Sequence, residues 1–262
     1  MTDRDEALRA YQAALVEPTP AHLDALGDAL DADVEVVGIV GPGHGLDQVR
    51  HSLANPRRPG FLATSTWSTK ERSGDSVLLD VALPVGGLVE RLTLEVEFAG
   101  ERIASVQQLV TMAPPPTPTP LAMSEELRAT VDGALAAGVP LVLAYVDGDG
   151  APHLSLRGST SAHSDSQLAI WVRDPTGGLL GALEANRRVA LLYRDPATGA
   201  SYQFAGRARV DDRPEVRDEV YSRTPAIERN LDAGRRGRAV IIDLDSVEGI
   251  GPGGRIRMVR GS

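Results

Sequence analysis

The residues best suited to hold a ligand stand where a short helix is predicted to begin. Asp174 and Pro175 are typical of an N-cap and a first helical position, and Thr176, Gly177 and Gly178 follow them. The first backbone N–H groups of a helix have no partner inside it, so they suit a phosphate group. The two glycines would also let a ligand approach the backbone closely. This stretch therefore predicts a seat for a small anion.

Further candidates stand at or just beyond the ends of two predicted strands that precede this helix. Arginine side chains there would neutralise an anion, and hydroxyl groups would donate hydrogen bonds to it. The six candidates are Arg157, Ser159, Thr160, Trp171, Val172 and Arg173.

Five strand-like runs and one short helix would position these residues. The runs are Leu141–Tyr145, Pro152–Leu156, Leu168–Val172, Val189–Tyr193 and Tyr202–Gly206, and the helix is Leu179–Ala185. The turn at Asp147–Gly150 holds Asp-Gly between two apolar runs, which is a strong hairpin signal. Short strands joined by tight turns, with one helix inserted, predict a small antiparallel barrel.

The order of these elements resembles the pyridoxamine 5′-phosphate oxidase-like split β-barrel. The resemblance rests on the Asp-Gly turn, the strand that begins Pro152-His153, the short helix, the run from Asn186 to Leu191 and the strand ending at Gly206. It covers about residues 124–260. Such proteins are typically homodimers that bind FMN, or the deazaflavin F420 in related branches, in grooves at the dimer interface. A flavin brings its own redox chemistry, so the resemblance implies an anion cradle with Arg157 at the phosphate.

This chain departs from the family pattern at the predicted helix start. Flavin-binding relatives usually carry Ser-Arg-Lys there, whereas this chain has Gly177–Leu179, and Asp174 adds a negative charge. Cofactor binding would then depend on Arg157, Arg173 and backbone groups. The alternative is a barrel that kept the fold and lost the cofactor. Recognition of pyridoxine phosphate as a substrate is unsupported.

A proline-rich stretch divides the chain. Five prolines lie between Ala113 and Pro120. Proline lacks a backbone N–H and breaks helices and central strands, so this stretch predicts a semi-rigid polyproline II spacer. The sequence thus predicts two domains, residues 1–112 and 124–262, joined by a linker over 113–123.

The first domain reads as helices followed by a meander of strands, which is an α+β pattern. Predicted helices cover Glu6–Val16, a segment beginning at Thr19-Pro20, and Leu46–Leu53; predicted strands cover Val34–Gly38, Gly60–Trp67, Ser76–Pro84, Leu88–Phe98 and Arg102–Val110. The loop Gly41–Gly45 before a helix, and Leu83–Gly87 before a long strand, resemble the SnoaL-like branch of the nuclear transport factor 2 superfamily. That resemblance implies a curved sheet wrapped around helices as a cone.

Two histidines are candidates for acid–base chemistry. In the first domain His44 stands at a helix entrance, and Asp33, Asp47 and Trp67 could face a cone interior with it, where an Asp–His pair would abstract a proton. In the second domain His153 lies on a strand beside the anion seat, with a structural role as the alternative.

Composition excludes several classes of function. The 262 residues include no cysteine, so disulfides, thiolate metal sites and cysteine catalysis are excluded. No spacing predicts a metal site. The formal net charge of −9 disfavours nucleic acid as a partner. No apolar run approaches the roughly 20 residues of a membrane span, and no signal peptide is recognised, so a cytoplasmic location is expected.

Three hypotheses about function stay open at this stage. The leading one is a flavin-dependent oxidoreductase, using FMN or F420, that acts on a small organic molecule as a homodimer. The second is a non-catalytic protein that binds a small ligand. The third places the activity in the first domain and leaves the barrel to dimerise.

The glycine-rich run Gly249–Gly254 opens no βαβ unit, so it predicts a turn and not a dinucleotide loop.

Overall fold

The computed structural model describes residues 3–55, 60–83 and 86–261. The chain divides into two compact units, Met1–Pro114 and Pro115–Ser262. Each unit has a sheet and a hydrophobic core of its own. The architecture is mixed α+β with two sheets, which is compatible with the split barrel predicted for the second half.

In its described residues the first unit has three α-helices and six strands. They are α1 (Asp3–Val16), α2 (Pro20–Ala29), β1 (Leu30–Val37), β2 (Gly43–His44), α3 (Leu46–Leu53), β3 (Thr66–Ser73), β4 (Ser76–Ala82), β5 (Val89–Ala99) and β6 (Arg102–Met112). The strands form one sheet in the order β2-β1-β6-β5-β4-β3. Strands β1 and β6 run parallel, and the other neighbours run antiparallel.

Side-chain alternation along β5 decides which face of the first sheet is buried. Four alternate residues point into the core: Leu92, Leu94, Val96 and Phe98. They share one hydrophobic cluster with residues of α1 and α2. Helix α2 begins where predicted, because the Thr19 hydroxyl oxygen accepts a 3.2 Å hydrogen bond from the His22 N–H.

The second unit has four helices and nine strands in its described residues. They are β7 (Thr119–Pro120), α4 (Glu125–Gly133), β8 (Leu141–Val146), β9 (Pro152–Arg157), β10 (Ser161–Ala162), β11 (Gln167–Val172), α5 (Gly178–Ala185), β12 (Arg188–Arg194), β13 (Ser201–Asp211), α6 (Pro214–Arg223), α7 (Ala226–Asn230), β14 (Arg238–Gly251) and β15 (Gly254–Val259). The main path of the sheet is β10-β11-β14-β13-β12-β8-β9, with β15 on β14 and β7 on β15. Strand β9 is therefore an edge.

Local signals positioned the helices of this unit. The Ser124 hydroxyl oxygen accepts a 3.2 Å hydrogen bond from the Leu127 N–H, so Ser124 is the N-cap of α4. Helix α5 buries Leu179, Leu180 and Leu183 in the hydrophobic core of the second unit. That packing holds the start of α5 close to the sheet.

Two sequence-based predictions of strand and turn extent were wrong. Residues Gly60–Thr64 form a 3-10 helix and not the start of a strand; the ladder with β4 begins only at Thr66. The predicted turn Gly249–Gly254 is shorter, because β14 pairs with β13 and β15 almost to its end, and the turn links Gly251 to Gly254. Pro84 and Val85, which belong to two predicted runs, lie outside the described residues.

Part of the proline-rich spacer belongs to the second sheet. Thr119 and Pro120 pair in parallel with Met258 and Val259. Proline is tolerated on an edge strand because no neighbour needs its missing N–H.

We expect Gly206→Ala to destabilise the second unit by about 1–3 kcal/mol. The register of β13 against β14 shifts between Ala205 and Gly206, and a Cβ at Gly206 would overlap the Asp243 carbonyl oxygen. Gly181→Ala is the matched control, because a Cβ at that helical position meets no atom within 4 Å. Gly181→Ala should stabilise the second unit by about 0.4–1 kcal/mol. Urea denaturation measures both, and equal midpoints would contradict this account.

Candidate functional site

The candidate site is built on the inner face of the edge strand β9. Residues paired across strands point to the same face of a sheet. Arg157 pairs with Leu141 and Ser155 with Leu143, and both leucines are fully buried core residues. The side chains of Arg157 and Ser155 therefore point to the core face of the second sheet.

Arg157 is the most unusual residue on this face. Its side chain is partly buried, and its Nε is inaccessible and has no hydrogen-bond partner among the described residues. The Ser155 Oγ is in the same condition. Burial lowers the pKa of the Arg157 guanidinium, although arginine stays charged at any ordinary pH. Two buried polar atoms without partners fit a ligand that would supply hydrogen-bond acceptors.

Three charged or polar side chains surround the guanidinium of Arg157 closely enough to interact with it electrostatically: Tyr145, Arg173 and Glu228. Sequence reasoning named Arg173 and missed the other two. Tyr145 lies on β8, and a Cβ placed at Gly178 would be 3.5 Å from its hydroxyl oxygen. The hydroxyl therefore reaches the start of α5, which links the arginine on β9 to the predicted anion seat.

His153 extends this polar face toward the β8–β9 turn. Its ring stacks on Tyr145 with 5.0 Å between centroids, and its Nε2 lies 2.7 Å from Asp147 Oδ2. The hydrogen bond with His153 is the main reason that the pKa of Asp147 is lowered. Asp147 also closes the turn, because its Oδ1 accepts from the N–H groups of Asp149 and Ala151. The predicted hairpin turn thus also orients the His153 ring.

At the start of α5 the donors of the predicted anion seat are partly used. The Asp174 Oδ1 accepts from both the N–H and the hydroxyl of Thr176, at 2.9 and 2.6 Å, and these bonds lower the pKa of Asp174. The Gly177 N–H donates to the Asp174 carbonyl oxygen at 3.2 Å. The prediction of Asp174 as N-cap and Pro175 as first helical residue was wrong, because Gly177 is the N-cap and α5 begins at Gly178. The N–H groups that suit a ligand are therefore those of the first helical turn, from Gly178 onward.

Four other predicted site residues serve the fold through their side chains. The Ser159 hydroxyl donates to the Trp171 carbonyl, and the Thr160 hydroxyl donates to the Arg157 carbonyl, both at 2.9 Å. The Trp171 indole donates to Asp232, while Val172 packs in the hydrophobic core of the second unit. The Ser159 bond ties the chain just after β9 to β11, which brings Arg157 beside Arg173.

Glu228 on α7 places a carboxylate in the site. Its Oε2 lies 3.5 Å from the Nε of Arg173, and a Cβ at Gly158 would lie 2.6 Å from its Oε1. The sequence holds no short-range signal for this contact, because about 70 residues separate Glu228 from β9. The carboxylate competes with any anionic ligand for the two guanidiniums.

The start of α5 also borders a cleft of about 580 Å³. Thr176, Gly177 and Gly178 line this cleft together with Arg209 and Arg238, among others. Each of these arginines is paired with a carboxylate, Arg209 with that of Asp211 and Arg238 with that of Asp212. The predicted site residues therefore form two groups. Arg157 and Arg173 lie on the β9 side, and the start of α5 lies between that side and the cleft.

The acid–base group predicted in the first unit is not formed. His44, Asp33 and Asp47 are all exposed, so none faces an interior. Their stretches lie at the β1–β2 edge and at the first turn of α3, where the backbone directs these side chains to solvent. The fourth member, Trp67, is partly buried and donates its indole N–H to Ser65 Oγ at 2.8 Å.

Among the described residues, no group of three or more His, Asp or Glu side chains is placed to hold a metal ion. No helix in the described ranges is both long and apolar enough to cross a membrane.

Comparisons with known proteins gave matches to solved structures alone. No protein-family model and no curated protein matches the chain. HupZ of Group A Streptococcus matches 51% of this chain and 98% of its own, with 16% identity and a TM-score of 0.40. A Clostridium acetobutylicum protein of the pyridoxinephosphate oxidase family, related to general stress protein 26, matches 52% and 96%, with 12% identity and a TM-score of 0.40. An FMN-binding protein from Syntrophomonas wolfei matches 48% and 87%, with 9% identity and a TM-score of 0.38.

We expect Glu228→Gln to tighten the binding of inorganic phosphate by about two- to fivefold, because it removes one negative charge beside two guanidiniums. Titration followed by NMR chemical shifts measures the affinity. Glu215→Gln is the matched control, since Glu215 is an exposed acid on α6. An equal gain in both variants would show that only net charge changed, and would contradict a local role for Glu228.

Proposed function

We propose that the second unit binds a phosphorylated flavin-type cofactor, FMN or F420, and that the protein is a flavin-dependent oxidoreductase acting on a small organic molecule. The observation that carries this proposal is Arg157, an inward-facing arginine whose buried Nε has no partner among the described residues. Burying such a group without a partner costs free energy, so its retention favours a ligand that completes it.

The residues around Arg157 fit the phosphate end of such a cofactor. Arg157 would neutralise the phosphate, and the first turn of α5 from Gly178 would donate backbone hydrogen bonds to it. The Tyr145 hydroxyl lies between these two elements and offers a further donor. The bound flavin would supply the redox chemistry, while the protein binds, orients and shields it.

Ser159, Thr160, Trp171 and Val172 enter this proposal as residues that hold the shape of the site. Their contacts to backbone, to Asp232 and to the core fix β9 against β11. Thr176 and Gly177 do the same for the start of α5.

A second candidate function is a non-catalytic protein that binds a small ligand. The contact between Arg173 and Glu228 favours it, because the carboxylate already neutralises one of the two guanidiniums of the site. A neutral or singly charged ligand would meet less repulsion there than a phosphate dianion.

We expect Arg157→Ala to weaken cofactor binding by about tenfold or more, since a charged hydrogen bond is worth about 1.5–3 kcal/mol. The measurement is titration of the purified protein with FMN and with F420, followed by visible absorbance and flavin fluorescence. Arg207→Ala is the matched control, because Arg207 is an exposed arginine of β13. A wild-type protein that takes up neither cofactor would overturn the proposal and favour the second candidate. If the wild-type protein takes up a cofactor and Arg157→Ala binds it with unchanged affinity, Arg157 is not part of the binding site.

We also propose a homodimer formed through the outer face of β9. Leu154, Leu156 and Leu192 are 75%, 68% and 43% exposed. Their cross-strand neighbours Val142 and Ala144 on β8 complete one uncharged patch on this face. A two-fold dimer needs one self-complementary patch, and this patch lies on the strand that carries the site on its other face. In this proposal residues 1–112 form the nuclear transport factor 2-like domain, linked through 113–123, and strengthen the dimer.

We expect Leu154→Glu combined with Leu156→Glu to convert the dimer to a monomer, because facing carboxylates would repel across the two-fold axis. Light scattering after size exclusion gives the mass. Leu231→Glu, at another exposed leucine of the same unit, should leave the mass unchanged. A wild-type protein that is monomeric at the highest soluble concentration would contradict the dimer.

A further inference from the structure

A second cleft, of about 290 Å³, lies in the second unit away from the site of Arg157. Helix α4, the β12–β13 turn and the β14–β15 hairpin enclose it. Its lining includes two tyrosines, two carboxylates and an apolar wall: Tyr193, Tyr202, Glu126, Asp195, Ile256 and Met258. Its size is at the low end for ligand sites, about 300–1,000 Å³, so it suits a small molecule.

Two aromatic rings form one side of this cleft. Tyr193 and Tyr202 face each other across β12 and β13, with ring centroids 6.0 Å apart. No hydrogen bond joins either hydroxyl to another side chain or backbone group in the described ranges of the chain. The hydroxyl of Tyr202 lies over Gly251, where a Cβ would overlap it. Tyr202 can therefore take this position only because Gly251 has no side chain.

The charge of the cleft is negative. Its lining includes Glu126 and Asp195 and no Lys, Arg or His from the described residues. Hydrogen bonds from Thr198 and from the Ala197 N–H lower the pKa of Asp195, so its carboxylate stays ionised. Burial, with carboxylates close by, raises the pKa of Tyr193 and of Tyr202, so both rings stay neutral. Arg194, the cation next to Asp195, donates to the carbonyls of Gly199 and Ala200.

We propose that this cleft binds a small alkylammonium ion. The electron-rich face of a tyrosine ring attracts a cation whose charge is spread over alkyl groups, which is how proteins bind quaternary ammonium groups. The Tyr202 ring is only partly buried and can serve in this way, whereas Tyr193 is 5% exposed and packs in the core. Glu126 and Asp195 supply the opposite charge, while Met258 and Ile256 offer apolar contacts to the alkyl groups. An anion such as a flavin phosphate is repelled there, so the cleft is a separate site of opposite preference.

The test compares choline with its uncharged carbon analogue, in which carbon replaces the quaternary nitrogen. Both are titrated into the full-length protein and followed by NMR shifts of the protein. We expect choline to bind at least about tenfold more tightly, because shape is shared and only the charge differs. Equal affinity, or no binding of choline, would overturn the proposal.

Two variants locate the binding. Gly251→Ala should displace Tyr202 and weaken choline binding about tenfold, while Gly181→Ala, on α5 outside this cleft and with no atom within 4 Å of a Cβ, should leave it within about twofold. Glu126→Gln changes only an exposed side chain, so it keeps the fold and should weaken choline several-fold. Choline affinity unchanged in both Gly251→Ala and Glu126→Gln would place the binding elsewhere and overturn the proposal.

Discussion

The strand β9 has two faces that the alternation of side chains keeps apart, and the candidate site depends on that separation. Residues in even positions, Leu154 and Leu156, are exposed, while Ser155 and Arg157 turn toward the core face of the sheet. A shift of one residue in the register with β8 would exchange the two faces and place the guanidinium in solvent. The tight turn closed by Asp147 fixes that register.

Placing the Arg157 guanidinium on the core face of the sheet costs free energy, which the rest of the site only partly offsets. The guanidinium loses water, which lowers the pKa of Arg157, and Arg173 nearby adds repulsion. Glu228 relieves this by pairing with Arg173 from α7. The balance between that carboxylate and an incoming anion sets how strongly the site can bind, so α7 belongs to the site although it carries no predicted site residue.

The second unit also separates charge on a larger scale. Basic side chains collect around α5 and the ends of β9, β11 and β13, while the cleft beside α4 is acidic and aromatic. Glycines at Gly206, Gly249 and Gly251 let β13 and β14 run close together along their length, since a Cβ at any of them would strike the neighbouring strand. The long β13–β14 pair is thus the frame that holds both regions.

The sequence alone determined the features that short-range interactions control. The Thr19 and Ser124 caps, the Asp147 turn and the buried alternation of β5 all depend on residues within a few positions of one another. These local rules were enough to predict the order of most helices and strands. Arg157 was singled out by the family resemblance, which places a phosphate-binding arginine at the end of that strand.

Tertiary structure decided what depends on distant partners. Strand β14 continues to Gly251 because β13 and β15 pair with it, and Thr119-Pro120 becomes a strand only beside Met258 and Val259. Glu228 meets Arg173 across a gap of more than 50 residues, and His44 is exposed although its local sequence suited a site. Such contacts arise from packing among elements far apart in the chain, and no local pattern encodes them.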